Sequence, residues 1–493
     1  MARILLFLIG IISLATFAQD GSLDTSFGDG GIVIKDLYDA TNFSTVVKEQ
    51  SNLKVISGGF SYVNGTIENS FFRYNLDGSI DTSFGNNGIL ITPIVGNLGL
   101  NFQQNGKIII SGSLDNSTGD ISVMRYLDNG TIDNTFATNG VLTTDLPEGF
   151  LYKINLLDDD AILLTGASND NSTFSVIFQK YLPNGNLDLS FGNNGTLTHE
   201  IALASFTIEK VEKSANNSYI LALNQSDNEF EFMVLKFTAD YTLDNNFGTN
   251  GISTFDFGSI TQFSSKAASY AVFNDGSIYI AGGHGKCQDS FTSFHAKLKP
   301  DGQRDNSFGN DGIRFVTSNQ YLPGQVIIQE NNRVLISGSI YDCFEWDFAT
   351  ISRYFSSGFV DDSFNLQDTG REVSLGSMEL LADGKIVIVG STPWYVGNSD
   401  SDFAIARYNN TVLSSPEFES RKITVYPNPS NGIFTVEHNF NSEKESFQIT
   451  DIIGKTIANG ELDNMQTQID LSSASSGVYF LKTSNSVFRL LKY

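Results

Sequence analysis

Short apolar runs alternate with glycine- and asparagine-rich turns along most of this chain, and the runs recur in a fixed order. One type ends in small residues: KVISGG at Lys54, KIIISGS at Lys107, ILLTGAS at Ile162, ILALNQ at Ile220, IYIAGG at Ile278, VLISGS at Val334 and KIVIVGS at Lys385. A second type follows in each cycle: FFRY at Phe71, VMRY at Val123, FQKY at Phe178, VLKF at Val234, HAKL at His295, TISRY at Thr350 and AIARY at Ala404. Runs this short, bounded by turn residues and lacking a helical period, predict strands. Asn105-Gly106, Asp275-Gly276 and Asp383-Gly384 precede three of the first-type strands. They predict tight hairpins with positive φ at both turn residues.

A longer motif closes each cycle. It reads GSLDTSFGDGGIVI from Gly21 and returns at Gly78, Gly130, Gly185, Tyr241, Gly302 and, decayed to GFVDDSFNLQDTG, at Gly358. Its phenylalanines, Phe27, Phe84, Phe136, Phe191, Phe247, Phe308 and Phe364, lie 52 to 61 residues apart. A period of that size marks a stacked or radial repeat. Counting the GIVI-type run after each motif, every unit of about 55 residues holds four strands, the make-up of a propeller blade. The expected fold is all-β, a seven-bladed β-propeller.

The repeats also predict that the ring is closed. A base stands in every second-type strand (Arg73, Arg125, Lys180, Lys236, Lys297, Arg353 and Arg407), and in the first six a motif aspartate follows eight positions later. Arg407 finds Ser415 at that distance, while Asp24 near the start of the chain has no base before it. The vacancy and the orphan match, so Asp24 is expected beside Arg407, with the first motif completing the last blade. An open stack would instead need a capping repeat at each end.

The D-x-S-F-G-x-x-G motif, the K-I-x-I-x-G strand and the A-R-Y strand together resemble the bacterial delta-60 repeat family over about Gly21 to Asn409. The resemblance implies a propeller-like fold and no defined activity. After Asn409 the pattern stops at a polar stretch, and alternating strands follow, ITVY from Ile423 through FRLLKY. These predict a small antiparallel β-sandwich. Tyr426-Pro427-Asn428-Pro429, Asn431-Gly432, Asp451 with Gly454-Lys455, Ser476-Gly477-Val478-Tyr479 and a basic last strand resemble, in order, the type A C-terminal sorting domain of the type IX secretion system of the Bacteroidetes. The resemblance implies export across the outer membrane with the type IX machinery as partner. The expected division is a leader at 1–18, the propeller at 19–409, a linker at 410–421 and the sorting domain at 422–493.

Composition narrows the partners. The chain carries 30 Lys and Arg against 55 Asp and Glu, a net charge of −25, which repels nucleic acid and anionic membranes. Arg3, the apolar run Ile4–Ile12 and small residues at Thr16 and Ala18 form the layout of a secretory signal peptide cleaved after Ala18; the alternative is a membrane anchor, for which the run is short. The mature protein is expected to be a monomer, secreted or at the cell surface, with no transmembrane segment and no outer-membrane barrel.

Candidate chemistry is sparse. A recurring Asp invites a calcium reading, as do the acidic loops 115–120, 158–160 and 400–402, but none has a twelve-residue calcium loop. No cofactor or metal is expected. His295 takes a strand position that is apolar in other repeats and is expected to be a core residue. The two tryptophans, Trp346 and Trp394, lie in corresponding loops of repeats six and seven, near Phe344 and Tyr395. They are candidates for stacking on sugars or gripping a peptide, the alternative being packing against their own loops. Cys287 and Cys343 each follow the corresponding glycine by five residues, so they either bridge neighbouring blades or remain separate thiols. The leading function is a non-catalytic binding or adhesion module for an extracellular glycan or protein. The competing one is a secreted hydrolase or lyase, with Asp289, Glu345 and Asp347 as its carboxylates.

Overall fold

The computed structural model describes residues 19–38, 40–63, 65–114, 121–144, 151–170, 173–201, 206–214, 218–225, 231–256, 265–286, 289–316, 321–342, 345–366, 373–392, 401–410, 423–438, 445–462, 466–483 and 487–493. No helix occurs among them.

The strands group into antiparallel sheets that follow the sequence repeat. Blades one to five are four-stranded sheets over residues 41–92, 95–143, 151–201, 206–256 and 265–316. Blade six spans 321–354, and blade seven spans 377–408 with a fourth strand taken from the beginning of the chain, Ile32–Lys35. The innermost strand of each blade packs on that of the next, and Ser377–Leu380 of blade seven returns to Thr41–Glu49 of blade one. That succession is a closed ring. Within each blade the second and third strands are buried on both faces: Ile108, Ile109 and Ile110 are fully buried, as are Ile386, Val387, Ile388 and Val389. Such continuous apolar runs suit sheets stacked face to face.

The small residues that end the first-type strands have a packing cause. A Cβ on Gly59 would lie 1.8 Å from the carbonyl oxygen of Phe43, and one on Gly390 would lie 1.9 Å from that of Ser374. The innermost strand bulges there, with its register shifting between Ser44 and Val46 in blade one, and only a residue without a side chain lets it pass.

One expectation is corrected. In the Asn-Gly and Asp-Gly turns, only the glycine takes positive φ, 80° at Gly106, 86° at Gly276 and 87° at Gly384. The preceding Asn or Asp uses its side chain instead: Asp275 Oδ1 accepts the Ser277 N–H at 2.8 Å and Asp383 Oδ1 the Lys385 N–H at 3.0 Å. Blade six has three strands among the described residues, and 369–372, where the outermost strand falls in the other repeats, lie outside them. In the complete blades, glycines at positive φ, such as Gly85 (56°) and Gly88 (92°), swing the chain into that strand.

The C-terminal residues form two sheets, one of strands Ile423–Tyr426, Ile433–His438 and Gln466–Asp470, the other of Thr456–Leu462, Glu445–Asp451, Gly477–Lys482 and Val487–Lys492. Phe434, Val436, Ile449, Leu462, Leu481 and Leu490 are fully buried between them.

Candidate recognition surfaces

The two ends of the ring are built differently. At one end lie the motif turns, and the recurring aspartate there is structural. In the Arg-containing blades, one carboxylate oxygen caps its own turn while the other faces the strand base: Asp81 Oδ1 accepts from Ser83 Oγ at 2.6 Å, and its Oδ2 accepts from Arg73 Nε at 2.7 Å. Arg125–Asp133 (2.9 Å) and Arg353–Asp361 (2.7 Å) repeat the pair, and Lys180–Asp188, Lys236–Asp244 and Lys297–Asp305 loosen it to 3.2, 3.2 and 3.9 Å. A second cation, absent from the eight-residue rule, reaches the same oxygen from the first-type strand: Lys54 on Asp81, Lys107 on Asp133, Arg333 on Asp361 and Lys385 on Asp24. Its signal was the lysine opening the K-I-x-I-x-G run. Burial alone would raise the Asp24 carboxyl, but hydrogen bonds from Ser26 and Lys385 and the Arg407 charge outweigh it and hold the group well below the usual carboxylate range.

Each arginine also ties its blade to the next. Arg73 Nη1 donates to Asp128 O and Arg125 Nη1 to Pro183 O, both at 2.6 Å, while the guanidinium lies over the motif ring, 4.8 Å from Phe84 and 4.6 Å from Phe136. The ring seam repeats this geometry across hundreds of residues. Arg407 Nε donates to Asp24 Oδ2 at 2.7 Å, its Nη1 to Leu76 O at 2.6 Å, and Phe27 lies 4.5 Å beneath the guanidinium. One residue of the seam was not foreseen. Asp20 stands where the next-blade turn stands elsewhere, accepting from Asn365 N at 3.1 Å and from Arg353 Nη1 at 2.7 Å.

The other end carries the connections between second and third strands, which range from two residues (Asp170 to Thr173) to eleven (Ser391 to Phe403). The aromatic candidates belong to this end. Trp346 lies in the blade-six strand Glu345–Tyr354 just after such a connection, and Trp394 lies within that of the adjacent blade. Phe344, Trp394, Tyr395, Cys287 and Cys343 fall outside the described residues, and nothing is described of the side chains of Trp346, Asp289, Glu345 and Asp347.

The remaining candidates resolve into structure. His295 is fully buried, its Nδ1 2.8 Å from Tyr279 Oη and its ring 4.4 Å from that of Tyr354, and burial pushes its pKa down to about 3. Of the acidic loop 158–160, Asp158 pairs with Lys213 Nζ at 2.8 Å and Asp160 Oδ1 accepts the Gln104 N–H at 2.8 Å. Among the described residues, no group of three His, Cys, Asp or Glu could hold a metal.

A carboxyl with the opposite behaviour sits on the innermost strand of blade seven. Burial raises Glu379 to about 6, against the opposing pull of Lys48. A carboxyl whose folded pKa exceeds its unfolded value of 4.5 costs stability as pH rises from about 4.5 through 6. Glu379→Gln should therefore be more stable than the wild type by about 1–2 kcal/mol above pH 6 and indistinguishable from it below pH 4.5. Urea unfolding at pH 4 and pH 7 checks this.

Where blades five and six approach the C-terminal sheets, a cleft of about 580 Å³ is lined by Arg314, Phe315, Phe359, Tyr426, Glu437 and Gln466. Arg314 Nη1 donates to Glu437 Oε1 at 2.9 Å, and its guanidinium lies 3.8 Å over Phe359. At the same strand position blades one to four carry Leu90, Leu142, Leu197 and Ser253.

In the C-terminal domain the motif residues fasten the edge of the last strand. The Asn428 side chain behaves as a strand segment, donating to Arg489 O at 2.6 Å and accepting the Leu491 N–H at 2.9 Å, and Ser430 continues the pairing to Leu491 and Tyr493. Gly432, at φ 129°, leaves no room for a Cβ, which would come 2.8 Å from Ser472 Cα. Tyr479 Oη donates to Ser475 O at 2.6 Å, closing the adjacent loop.

The comparisons agree with this anatomy. Residues 424–491 match the secretion system C-terminal sorting domain, and residues 53–84, 103–136 and 381–411 match a β-propeller domain of unknown function, DUF5122. No curated protein matches the chain. Similar solved structures include the polysaccharide lyase Uly1 (12% identity, TM-score 0.48, covering 74% of this chain and 89% of that one). A virginiamycin B lyase from Staphylococcus aureus gives 11%, 0.40, 76% and 98%, and PorZ, a surface component of the type IX secretion system of Porphyromonas gingivalis, gives 10%, 0.27, 91% and 81%. At these identities and scores no activity is carried over. The chain is an exported all-β protein, released or held at the cell surface, in which DUF5122 propeller repeats precede a type IX sorting domain.

Proposed function

We propose that the ring, residues 19–409, is a non-catalytic binding scaffold that takes an extracellular glycan or protein at its loop end. The leader 1–18, the linker 410–421 and the domain 422–493 serve to deliver it as a monomer. The observation that carries this reading is the asymmetry of the ring. One end is knit blade to blade by the same Asp, base and Phe in each repeat, which leaves no room for individuality, whereas the opposite end collects connections of unequal length. Unequal loops on a rigid frame are where such scaffolds hold specificity. Trp346 and Trp394, which the sequence places at or in the connections of adjacent blades, with Tyr395 and Phe344 beside them, are the aromatic residues this reading assigns to sugar rings or an extended peptide.

The test is binding of the purified chain to glycan and matrix-protein arrays. Trp346→Ala with Trp394→Ala should weaken a captured ligand at least about tenfold, equivalent to roughly 1.4 kcal/mol, and leave the unfolding temperature within about 3 °C. Turnover of the captured polymer, with product formation surviving both substitutions, would overturn the reading in favour of a hydrolase or lyase.

A further inference from the structure

The hairpin between strands Glu445–Asp451 and Thr456–Leu462 of the sorting domain carries two adjacent isoleucines at its tip. Ile452 is 72% exposed and Ile453 82%. Turn chemistry does not call for them, since positions of this kind favour Asn, Asp, Ser or Gly. Nor is the tip loose. Asp451 Oδ1 accepts the N–H groups of Ile453 at 3.0 Å and Lys455 at 2.9 Å, and Gly454, at φ 85°, donates to Asp451 O at 3.1 Å. The pair is therefore presented in one shape, and binding it would cost little further ordering.

The same end of the sheet carries one more exposed ring. Asp451 pairs with Tyr479 and Gly477 with Lys492, so the chain end reaches it too, and Tyr493 is 71% exposed. Charge does not oppose an apolar approach. Residues 424–493 hold seven carboxylate side chains and five cations, in a chain whose net charge is −25.

We propose that Ile452 and Ile453 are the grip by which export is initiated: the pair enters an apolar pocket on a protein of the type IX machinery, and a carboxylate at the pocket's rim meets Lys455. This rests on the sorting domain being the export signal. Buried partners for two such side chains are the kind of central anchor that dominates protein interfaces.

The experiment uses the full chain in a host with this secretion system, measuring protein in the medium and on the surface against protein retained inside. Ile452→Ser with Ile453→Ser should lower export at least tenfold, with the unfolding temperature of the purified variant unchanged. Ile452→Leu with Ile453→Leu should restore it, Lys455→Glu should lower it about threefold, and Ile433→Ser, at a 50% exposed site on the other sheet, should leave it unaltered. Normal export of the double serine variant, alongside retention of a chain ending at Arg421, would overturn the inference and leave the export reading standing. Normal export of the shortened chain would overturn both. An equal loss from Ile433→Ser would also overturn it, because the defect would then not belong to the tip.

Discussion

A mature chain lacking residues 19–35 should fail to form a cooperatively folded ring. Those residues supply blade seven with its outermost strand, paired from Ile32 with Ala406 to Lys35 with Phe403. They also supply Phe27, only 1% exposed and packed with Val47, Phe72 and Val389 across blades one and seven. Removing a buried phenylalanine costs about 3–5 kcal/mol. Two buried guanidinium groups lose partners as well, Arg407 losing Asp24, and Arg353 losing Asp20 while keeping Asp361. Stripping the partner from a buried charge costs about 3–5 kcal/mol. These losses together match the whole stability of a typical domain, about 5–15 kcal/mol. Circular dichroism melting should therefore show no sharp transition from the ring, or one at least about 10 °C lower. Wild-type melting of the shortened chain would mean that the ring does not depend on its seam.

The seam is legible in the sequence because repetition turns a sequence into its own control. Seven copies exposed which residue was missing at Arg407 and which was surplus at Asp24, although the two lie 383 positions apart. The strands were legible for a simpler reason, since runs buried on both faces are apolar throughout and glycines mark their ends. What escaped was whatever does not repeat or is not local. The second cation on Asp81, Asp133, Asp361 and Asp24 comes from another strand, Lys54 to Asp81 being 27 residues away, and no fixed spacing advertised it. Asp20 looked like part of a leader boundary and proved to be a turn of blade seven. The residue before each turn glycine departs from the expected backbone because an Asx hydrogen bond can replace the second positive φ. In the sorting domain the motif pointed to Asp451, Gly454 and Lys455, which build the hairpin, whereas the two isoleucines they display carry no signature until their exposure is seen.

Truncation after Arg421 should abolish export while leaving the ring intact. The family match, residues 424–491, lies wholly within the removed part, so the signal is lost entirely rather than weakened. The ring survives because its core is separate. Phe434, Val436, Ile449, Leu462 and Leu481 pack with one another within the C-terminal sheets, and the blade clusters, such as that of Phe72, Val387 and Phe403, draw only on ring residues. The ion pair across the cleft, Arg314 with Glu437, leaves both side chains about 15% exposed. Removing the whole domain returns Arg314 to water instead of stranding it as a buried charge, so losing the pair should cost at most about 1 kcal/mol. Seam residues Asp24, Phe27 and Arg407 all remain. The purified truncated chain should thus melt within about 2 °C of the ring transition in the full chain, while its amount in the medium and at the surface falls below detection and the retained fraction rises. Arrival of the shortened chain in the medium at the normal rate would sever the tail from export, and a large drop in melting temperature would show that tail and ring share a core after all.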